Sequence, residues 1–305
     1  VGAGETVRIY TGAPVPAGAA RVVIQENVTH EGDAITLTEP IFAARHIRRR
    51  AGDFTAGAVL LPTGTRLSPR AMVTLAAADR ADVLVARRVK VALISTGDEL
   101  VPPGQADAPD NIPDSVSFGI AAMLAEAGAV LTQRSVGGDD LAALTHTAGK
   151  ALAAADLVVV TGGASVGDRD FAKPMFAPQG LELLWEKIAI KPGKPVWLGQ
   201  AKGKLILGLP GNPSSALVTA RLFLTPILAR LMGQEAALNW RTLTLAAPLP
   251  ATGGRETFTR AVFGPDGLTS ITNQDSSAQS PLHAATHLIR CPAGQGALDK
   301  GDRVS

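Results

Sequence analysis

Residues 158–171, Val-Val-Val-Thr-Gly-Gly-Ala-Ser-Val-Gly-Asp-Arg-Asp-Phe, concentrate the chemistry-bearing residue types of this chain. Val158 to Val160 run directly into Thr161, Gly162, Gly163, Ala164, Ser165, Val166 and Gly167, and two acids follow at Asp168 and Asp170. A buried strand ending in a glycine-rich turn is how open α/β sheets bring backbone N–H groups up to a phosphate-bearing ligand. Glycine has no Cβ, so the main chain can approach closely. Carboxylates just past such a turn can hold a divalent cation against the phosphates. By itself the run also reads as a tight strand-to-loop turn with solvated acids, because short glycine motifs recur by chance.

The elements around that run must therefore decide. A chain of 305 residues predicts two to three domains and a substantial core. Hydrophobic residues make up 46%, which excludes a disordered chain. The net charge of +2 excludes a large nucleic-acid footprint, which needs clustered positive charge. The one basic run is Arg45-His46-Ile47-Arg48-Arg49-Arg50, readable as a solvated face or a local anion site. Cys291 is the single cysteine, so neither an intrachain disulfide nor a cysteine-based metal cluster can form, and a reducing compartment is expected. No signal pattern opens the chain and no stretch approaches 18 uninterrupted apolar residues, so no membrane span is expected and the location is read as cytoplasmic.

Residues 1–54 read as a strand-rich domain, with strand patterning at Val22–Ile24 and Ala34–Thr38 and a rigid Pro/Gly loop at 11–18. Residues 55–88 read as a linker carrying one helix, with Ser68 as N-cap and Pro69 at its first position, ending near Ala78. Residues 89–235 alternate strand and helix. Strands are predicted at Val89–Ile94, Ala129–Val136, Leu157–Val160 and Leu205–Leu207, with helices at Ser115–Gly128, Asp140–Ala154 and Ser214–Met232. That rhythm predicts a doubly wound, mainly parallel sheet whose ligand loops gather at the carboxyl ends of its strands. Residues 236–305 return to strand and turn patterning, with candidate strands at Leu243–Leu245 and Thr257–Phe263, and read as a C-terminal β domain. The predicted fold is thus a multidomain α/β plus β protein.

Five loops lie along the α/β region: STGDEL (95–100), VGGDD (136–140), TGGASVGDRDF (161–171), IAIKPGKP (188–195) and GLPGNPSS (208–215). TGAPVP (11–16) and IRRRAGD (47–53) precede them. In this combination and order they resemble the molybdopterin molybdenumtransferase family, the MoeA-like enzymes also found as the E domain of gephyrin, over essentially the whole chain. The resemblance implies insertion of molybdate into adenylylated molybdopterin with release of AMP, a requirement for Mg²⁺, and an elongated homodimer. It also implies an adenylyltransferase partner that supplies the substrate. The chain opens without Met, and the resemblance implies that an N-terminal segment with a helix and part of the strand-rich domain precedes it.

The residues carried over from the resemblance are specific. Glu99, Asp139, Asp170, Lys187, Lys191 and Lys194 are expected to be catalytic, with Glu99 and Asp170 as the metal-holding pair. These carboxylates are hard oxygen donors of the kind Mg²⁺ takes; Asp98 reads rather as a turn-former. Lysines on a loop stiffened by Pro192, Gly193 and Pro195 suit a phosphate or the molybdate dianion as compact point charges. Nucleotide and pterin contacts are expected from Thr11, Arg48, Asp53, Thr96, Gly97, Gly162, Gly163, Ser165, Gly167, Pro210, Gly211, Asn212, Pro213 and Ser214. Asn212 or Ser214 also reads as an ordinary helix N-cap. Molybdate contacts are expected from Lys191, Lys194, Arg260, Ser276 and Ser277.

One position departs from the pattern. The family carries Asp-Ser/Thr-Asn before the helix near 115, and here the run is Asp114-Ser115-Val116, which removes an amide's donors and acceptor and leaves Ser115 as the candidate cap. Three other readings stay open at this stage. A single-domain adenylylating relative is disfavoured by the flanking strand-rich segments. A non-catalytic scaffold is disfavoured by the intact lysine and acid positions. Tungstate differs too little from molybdate to be excluded.

Overall fold

The computed structural model describes residues 1–40, 43, 45–163 and 170–305. It divides into two compact units, Val1–Pro62 and Thr63–Ser305.

In the first unit, strands β1 (Val28–Glu31) and β2 (Ala34–Leu37) pair antiparallel from Val28↔Leu37 to Glu31↔Ala34. Their two-residue turn places Gly32 at φ 56°, the sign that tight hairpin turns demand. The expected strand at Val22–Ile24 does not form: among the described residues this stretch makes the bond from Val22 N–H to Arg45 O at 3.1 Å and the turn bond from Asn27 N–H to Ile24 O at 3.0 Å, rather than a ladder.

The second unit opens with α1 (Pro69–Ala77), whose Ser68 Oγ accepts from the Ala71 N–H at 3.3 Å. The elements that follow are β3 (Lys90–Thr96), β4 (Leu100–Val101), β5 (Ile112–Pro113), α2 (Val116–Glu126), β6 (Val130–Gly137), α3 (Leu141–Ala154) and β7 (Leu157–Thr161). Beyond them come β8 (Glu182–Glu186), β9 (Ile190–Lys191), β10 (Trp197–Ala201), β11 (Lys204–Leu209), α4 (Pro213–Thr219) and α5 (Thr225–Leu231). The central sheet runs β6-β3-β7-β11-β10-β8. Its first four strands are mutually parallel, and β10 and β8 extend it antiparallel.

Alternation along the strands covers the two faces separately. Val91, Leu93, Leu157, Val159, Leu207 and Leu209 join a core with Ile120 and Leu124 of α2 and Val218 of α4. Ala92, Ile94, Val158, Val160 and Ile206 join a second core with Leu144, Ala148 and Leu152 of α3. A strand buried on both faces has no polar register, which is why these runs are continuously apolar.

The expected long helix from Ser214 is interrupted. Between α4 and α5 a π turn spans Ala220–Leu224, and the Thr225 N–H reaches back five residues to Ala220 O. Pro226 explains it, because proline has no N–H and its ring collides with the carbonyl one α-turn back. The whole stretch Pro213–Leu231 has the length and composition of a membrane span, but half of that window is buried inside the protein.

The C-terminal part holds β12 (Leu243–Thr244), β13 (Glu256–Gly264), β14 (Gly267–Ser270), β15 (His287–Cys291) and β16 (Arg303–Val304). Strands β14, β13 and β15 pair antiparallel around a small core of Leu245, Leu249, Ala261, Leu268, Ile289, Cys291 and Val304. Short β9 pairs parallel with β13 at Glu256↔Ile190 and Thr257↔Lys191. The IKPGKP loop is thereby held against the β-rich part.

Candidate active site

In the parallel half of the sheet, β3 lies between β6 and β7, so the chain winds away from β3 in both directions. The crevice beyond the carboxyl ends of two such strands is where open α/β sheets bind ligands. Here those ends are Thr96-Gly97 and Thr161-Gly162-Gly163.

The glycines are required by backbone-on-backbone packing. A Cβ on Gly162 (φ 88°) would lie 2.5 Å from the Thr96 carbonyl oxygen, and one on Gly163 (φ 54°) 3.0 Å from the Ala172 nitrogen. A Cβ on Gly211 would lie 3.3 Å from the Gly162 Cα. The three loops after β3, β7 and β11 therefore pack closely, with no room for a Cβ at Gly162 and little at Gly163 and Gly211. Gly208, in the same GLPG run, serves packing instead: a Cβ there would lie 1.9 Å from Trp197 Nε1.

A cleft of about 1260 Å³ opens above these loops. One wall is the switch-point side, with Thr96, Glu99, Asp114, Gly162, Gly163 and the turn Pro210-Gly211-Asn212-Pro213. The other is the β-rich side, with Arg255, Thr257, Phe258, Ser276, Ser277 and Cys291. Lys191 and Lys194 line the cleft from the loop after β9. Among the described residues none of Lys191, Lys194 and Arg255 takes part in an ion pair. Burial pushes the Cys291 thiol up, so the cleft's one sulfur is held as the thiol.

Asn212 and Ser214 do not cap α4 through their side chains. The Asn212 amide donates to Ser276 Oγ at 3.0 Å, the Ser214 N–H to Ser276 O at 3.0 Å, and the Ser214 hydroxyl to Ala278 O at 2.7 Å. The turn is tied to the 276–278 loop across the cleft floor. Ser215, rather than Ser214, reaches the cleft.

Arg260 lies beneath the wall rather than in it. It is 2% exposed. Its guanidinium donates to Ser214 Oγ, to Gln274 Oε1 at 3.4 Å, to Asn273 O at 3.2 Å and to Asp275 O at 3.0 Å. Burial lowers its pKa, opposed by Asp275. These bonds shape the 273–277 loop and leave the guanidinium no open face. The cleft-facing arginine is Arg255, which the sequence reading missed. Strand alternation could have placed Arg260 in the buried register of Phe258, but Arg255 precedes β13 and had no such signal.

The other expected residues divide plainly. Asp98 Oδ1 accepts the Asp139 N–H at 2.7 Å, so Asp98 is the turn-former and Asp139 belongs to the turn it closes, outside the cleft lining. Lys187 (φ 56°) donates its N–H to Val196 O at 3.1 Å, also outside the lining. Gly97 sits behind Glu99, where a Cβ would lie 2.6 Å from the Glu99 carboxylate. Asp170 follows β7, and its Oδ1 is buried without a partner among the described residues. Burial raises the Asp170 pKa, against the Ala172 N–H and the Lys173 charge. Thr11, Arg48 and Asp53 are exposed residues of the first unit. Ser165, Gly167 and Asp168 lie outside the described residues.

Ser115 makes no side-chain cap; Asp114 does, accepting the Ser117 N–H at 3.2 Å and the Ser117 hydroxyl at 2.6 Å. Val116 lines the cleft where the resemblance leads one to expect an amide.

Comparison with known proteins agrees with this fold. Residues 92–230 match the family described as "Probable molybdopterin binding domain", and residues 1–78 match "MoeA N-terminal region (domain I and II)". The molybdopterin molybdenumtransferase of Synechococcus elongatus is 33% identical over 306 residues, covering 99% of this chain and 75% of that protein. That of Nostoc sp. is 35% identical over 262 residues, and the match spans 84% of this chain but only 60% of the Nostoc protein. Two crystal structures of the molybdopterin biosynthesis MoeA protein from Pyrococcus horikoshii superpose with TM-scores of 0.75 and 0.81, at 30% and 25% identity. The first covers 93% of this chain and 70% of its own, the second 100% and 78%. On the order of its motifs, its sheet and these matches, the chain belongs to the molybdopterin molybdenumtransferase (MoeA) family.

Proposed function

We propose that this cleft binds adenylylated molybdopterin together with molybdate, and that the chain inserts the metal into the pterin dithiolate with release of AMP. One observation carries the reading. Cations without ion-pair partners among the described residues, Lys191, Lys194 and Arg255, line the same cleft as closely packed glycine loops. The loops offer backbone N–H groups to phosphate, and the lysines offer point charges to an oxyanion. Asn212 and the loop it holds fix the floor between the two walls.

Glu99 and Asp170 are the carboxylates that would hold a divalent cation. They follow the adjacent strands β3 and β7, and the buried Asp170 Oδ1 lacks a partner among the described residues. Mg²⁺ takes one or two carboxylates and keeps waters or substrate phosphates for its other positions. When bound, it would neutralise charge on the phosphoanhydride. The protein's part would be to present Glu99 from the cleft wall and Asp170 from the segment after β7, outside the cleft lining, and to orient the phosphates on the glycine loops. The family membership further supports a cytoplasmic homodimer supplied by an adenylyltransferase.

The test is AMP release by the full chain from adenylylated molybdopterin with Mg²⁺, with and without molybdate. Molybdate-dependent release, lost in Lys191→Ala/Lys194→Ala, is the expected result. No release from folded protein overturns the reading.

A further inference from the structure

The residue that holds the β3 acid loop in place is not one of the acids in it. Glu99 is exposed on the loop after β3 and lines the cleft. The chain then leaves the sheet through an exposed excursion, 102–110, before returning at β5. Two backbone bonds close the base of that excursion, Ile112 N–H to Glu99 O at 2.7 Å and Asp114 N–H to Val101 O at 2.8 Å. A two-residue ladder is weak by itself. Its anchor is the Asp114 side chain.

Asp114 is 4% exposed. Neutral donors meet its carboxylate: the Ser117 N–H at 3.2 Å, the Ser117 hydroxyl at 2.6 Å, and the Ser95 hydroxyl at 3.4 Å from Oδ2. The Thr161 hydroxyl donates in turn to Ser95 Oγ at 3.1 Å. One carboxylate thus ties the start of α2 to the ends of β3 and β7, the three elements that meet at the switch point. A buried carboxylate is tolerated only with such donors, so its place is strongly specified.

We propose that Asp114 is a positioning residue for Glu99, acting through the β4–β5 ladder to hold the Glu99 carboxylate at the rim of the cleft. The proposal rests on Glu99 taking part in the chemistry proposed above. Asp114 also lines the cleft, but it is 4% exposed and its carboxylate is turned to Ser117 and Ser95, so the role argued for it is positional.

The experiment compares Asp114→Asn, Glu99→Gln and the double variant of the full chain. It reads molybdate-dependent AMP release at saturating and limiting substrate, together with hydrogen exchange at the Ile112 amide. Asp114→Asn is expected to lower kcat about tenfold with KM little changed, to speed Ile112 exchange, and to cost nothing further in the Glu99→Gln background. Ser117→Ala keeps the carboxylate but removes its shortest hydrogen bond, and is expected to show the same pattern more weakly if Asp114→Asn folds poorly. Losses that add in the double variant, or unchanged Ile112 exchange, overturn the positioning role alone. Unchanged release by Glu99→Gln overturns the reading of Glu99 and this inference with it.

Discussion

Gly193 rests directly on Thr219. A Cβ at position 193 would lie 2.2 Å from Thr219 Cγ2, and Gly193 holds φ at 110°. The two lysines of the loop, Lys191 and Lys194, flank this contact, so their placement in the cleft depends on a helix residue far along the chain. Gly193→Ala is expected to cost about 2–3 kcal/mol and to weaken binding of inorganic phosphate or AMP. Thr219→Ser in that background removes the obstructing methyl while keeping the hydroxyl that bonds Ser215 O at 2.7 Å. Partial recovery of Tm and of phosphate affinity, both measured by calorimetry, is the expected result, and no recovery would show that φ strain alone is responsible.

The two arginines near the β-rich wall should separate cleanly. Arg260→Ala removes a buried guanidinium and takes away the donor to Asn273 O, while Gln274 Oε1 keeps the Arg260 N–H and Asp275 O keeps the Ala278 N–H. It is expected to cost about 3 kcal/mol of stability. Arg255 is exposed at the cleft. Arg255→Ala is expected to leave Tm within a degree or two and to weaken phosphate binding several-fold at low salt, with less effect as salt rises. Denaturation curves and a phosphate titration at two ionic strengths check the pair, and equal destabilisation by both variants would contradict it.

Asp156 gives the fold an acid-sensitive joint. Its carboxylate takes two hydrogen bonds from Arg87, at 2.5 and 2.8 Å, and one from the Lys90 N–H at 2.9 Å, with Lys204 at 3.7 Å. The Arg87 bonds, ahead of the backbone bond and the nearby charges, hold its pKa well below the usual carboxylate range. A depressed folded-state pKa contributes stability that is present above the unfolded value of roughly 4 and is lost as pH falls through that value toward the folded one. Asp156→Asn is therefore expected to lower Tm by a few degrees at pH 7, and the gap to wild type should shrink below about pH 4. A gap as large at pH 2 as at pH 7 would place the effect elsewhere.

Gly162 and Gly97 look alike in sequence but should respond differently. An alanine Cβ at 162 meets the Thr96 backbone carbonyl at 2.5 Å, whereas at 97 it meets the movable Glu99 carboxylate at 2.6 Å. Gly162→Ala is expected to cost about 3 kcal/mol or to prevent folding. Gly97→Ala is expected to lose AMP release out of proportion to its smaller Tm change. Equal Tm losses would refute the distinction.

Local physics carried most of the architecture. Continuously apolar runs such as Val158–Val160 have one outcome in a sheet covered on both faces, and Ser68-Pro69 and Asp140 start helices by short-range hydrogen bonding. The antiparallel strands β8 and β10 were not legible, because Glu182–Glu186 lies at the sheet edge with four of its five residues exposed and shows no clear apolar pattern. The π turn was legible in principle from Pro226, yet the apolar run through it reads as one helix.

The sequence by itself determined in what order the glycine- and proline-rich loops follow their strands, because glycine, proline and charge at strand ends act within a few residues. Only the tertiary structure decided which side chains of those loops line the cleft. Arg255 rather than Arg260, Ser215 rather than Ser214, and the anchoring role of Asp114 all turn on strand alternation, helix rotation and contacts between segments distant in the chain. A single residue's step along a strand or helix reverses its exposure, and long-range packing sets that register.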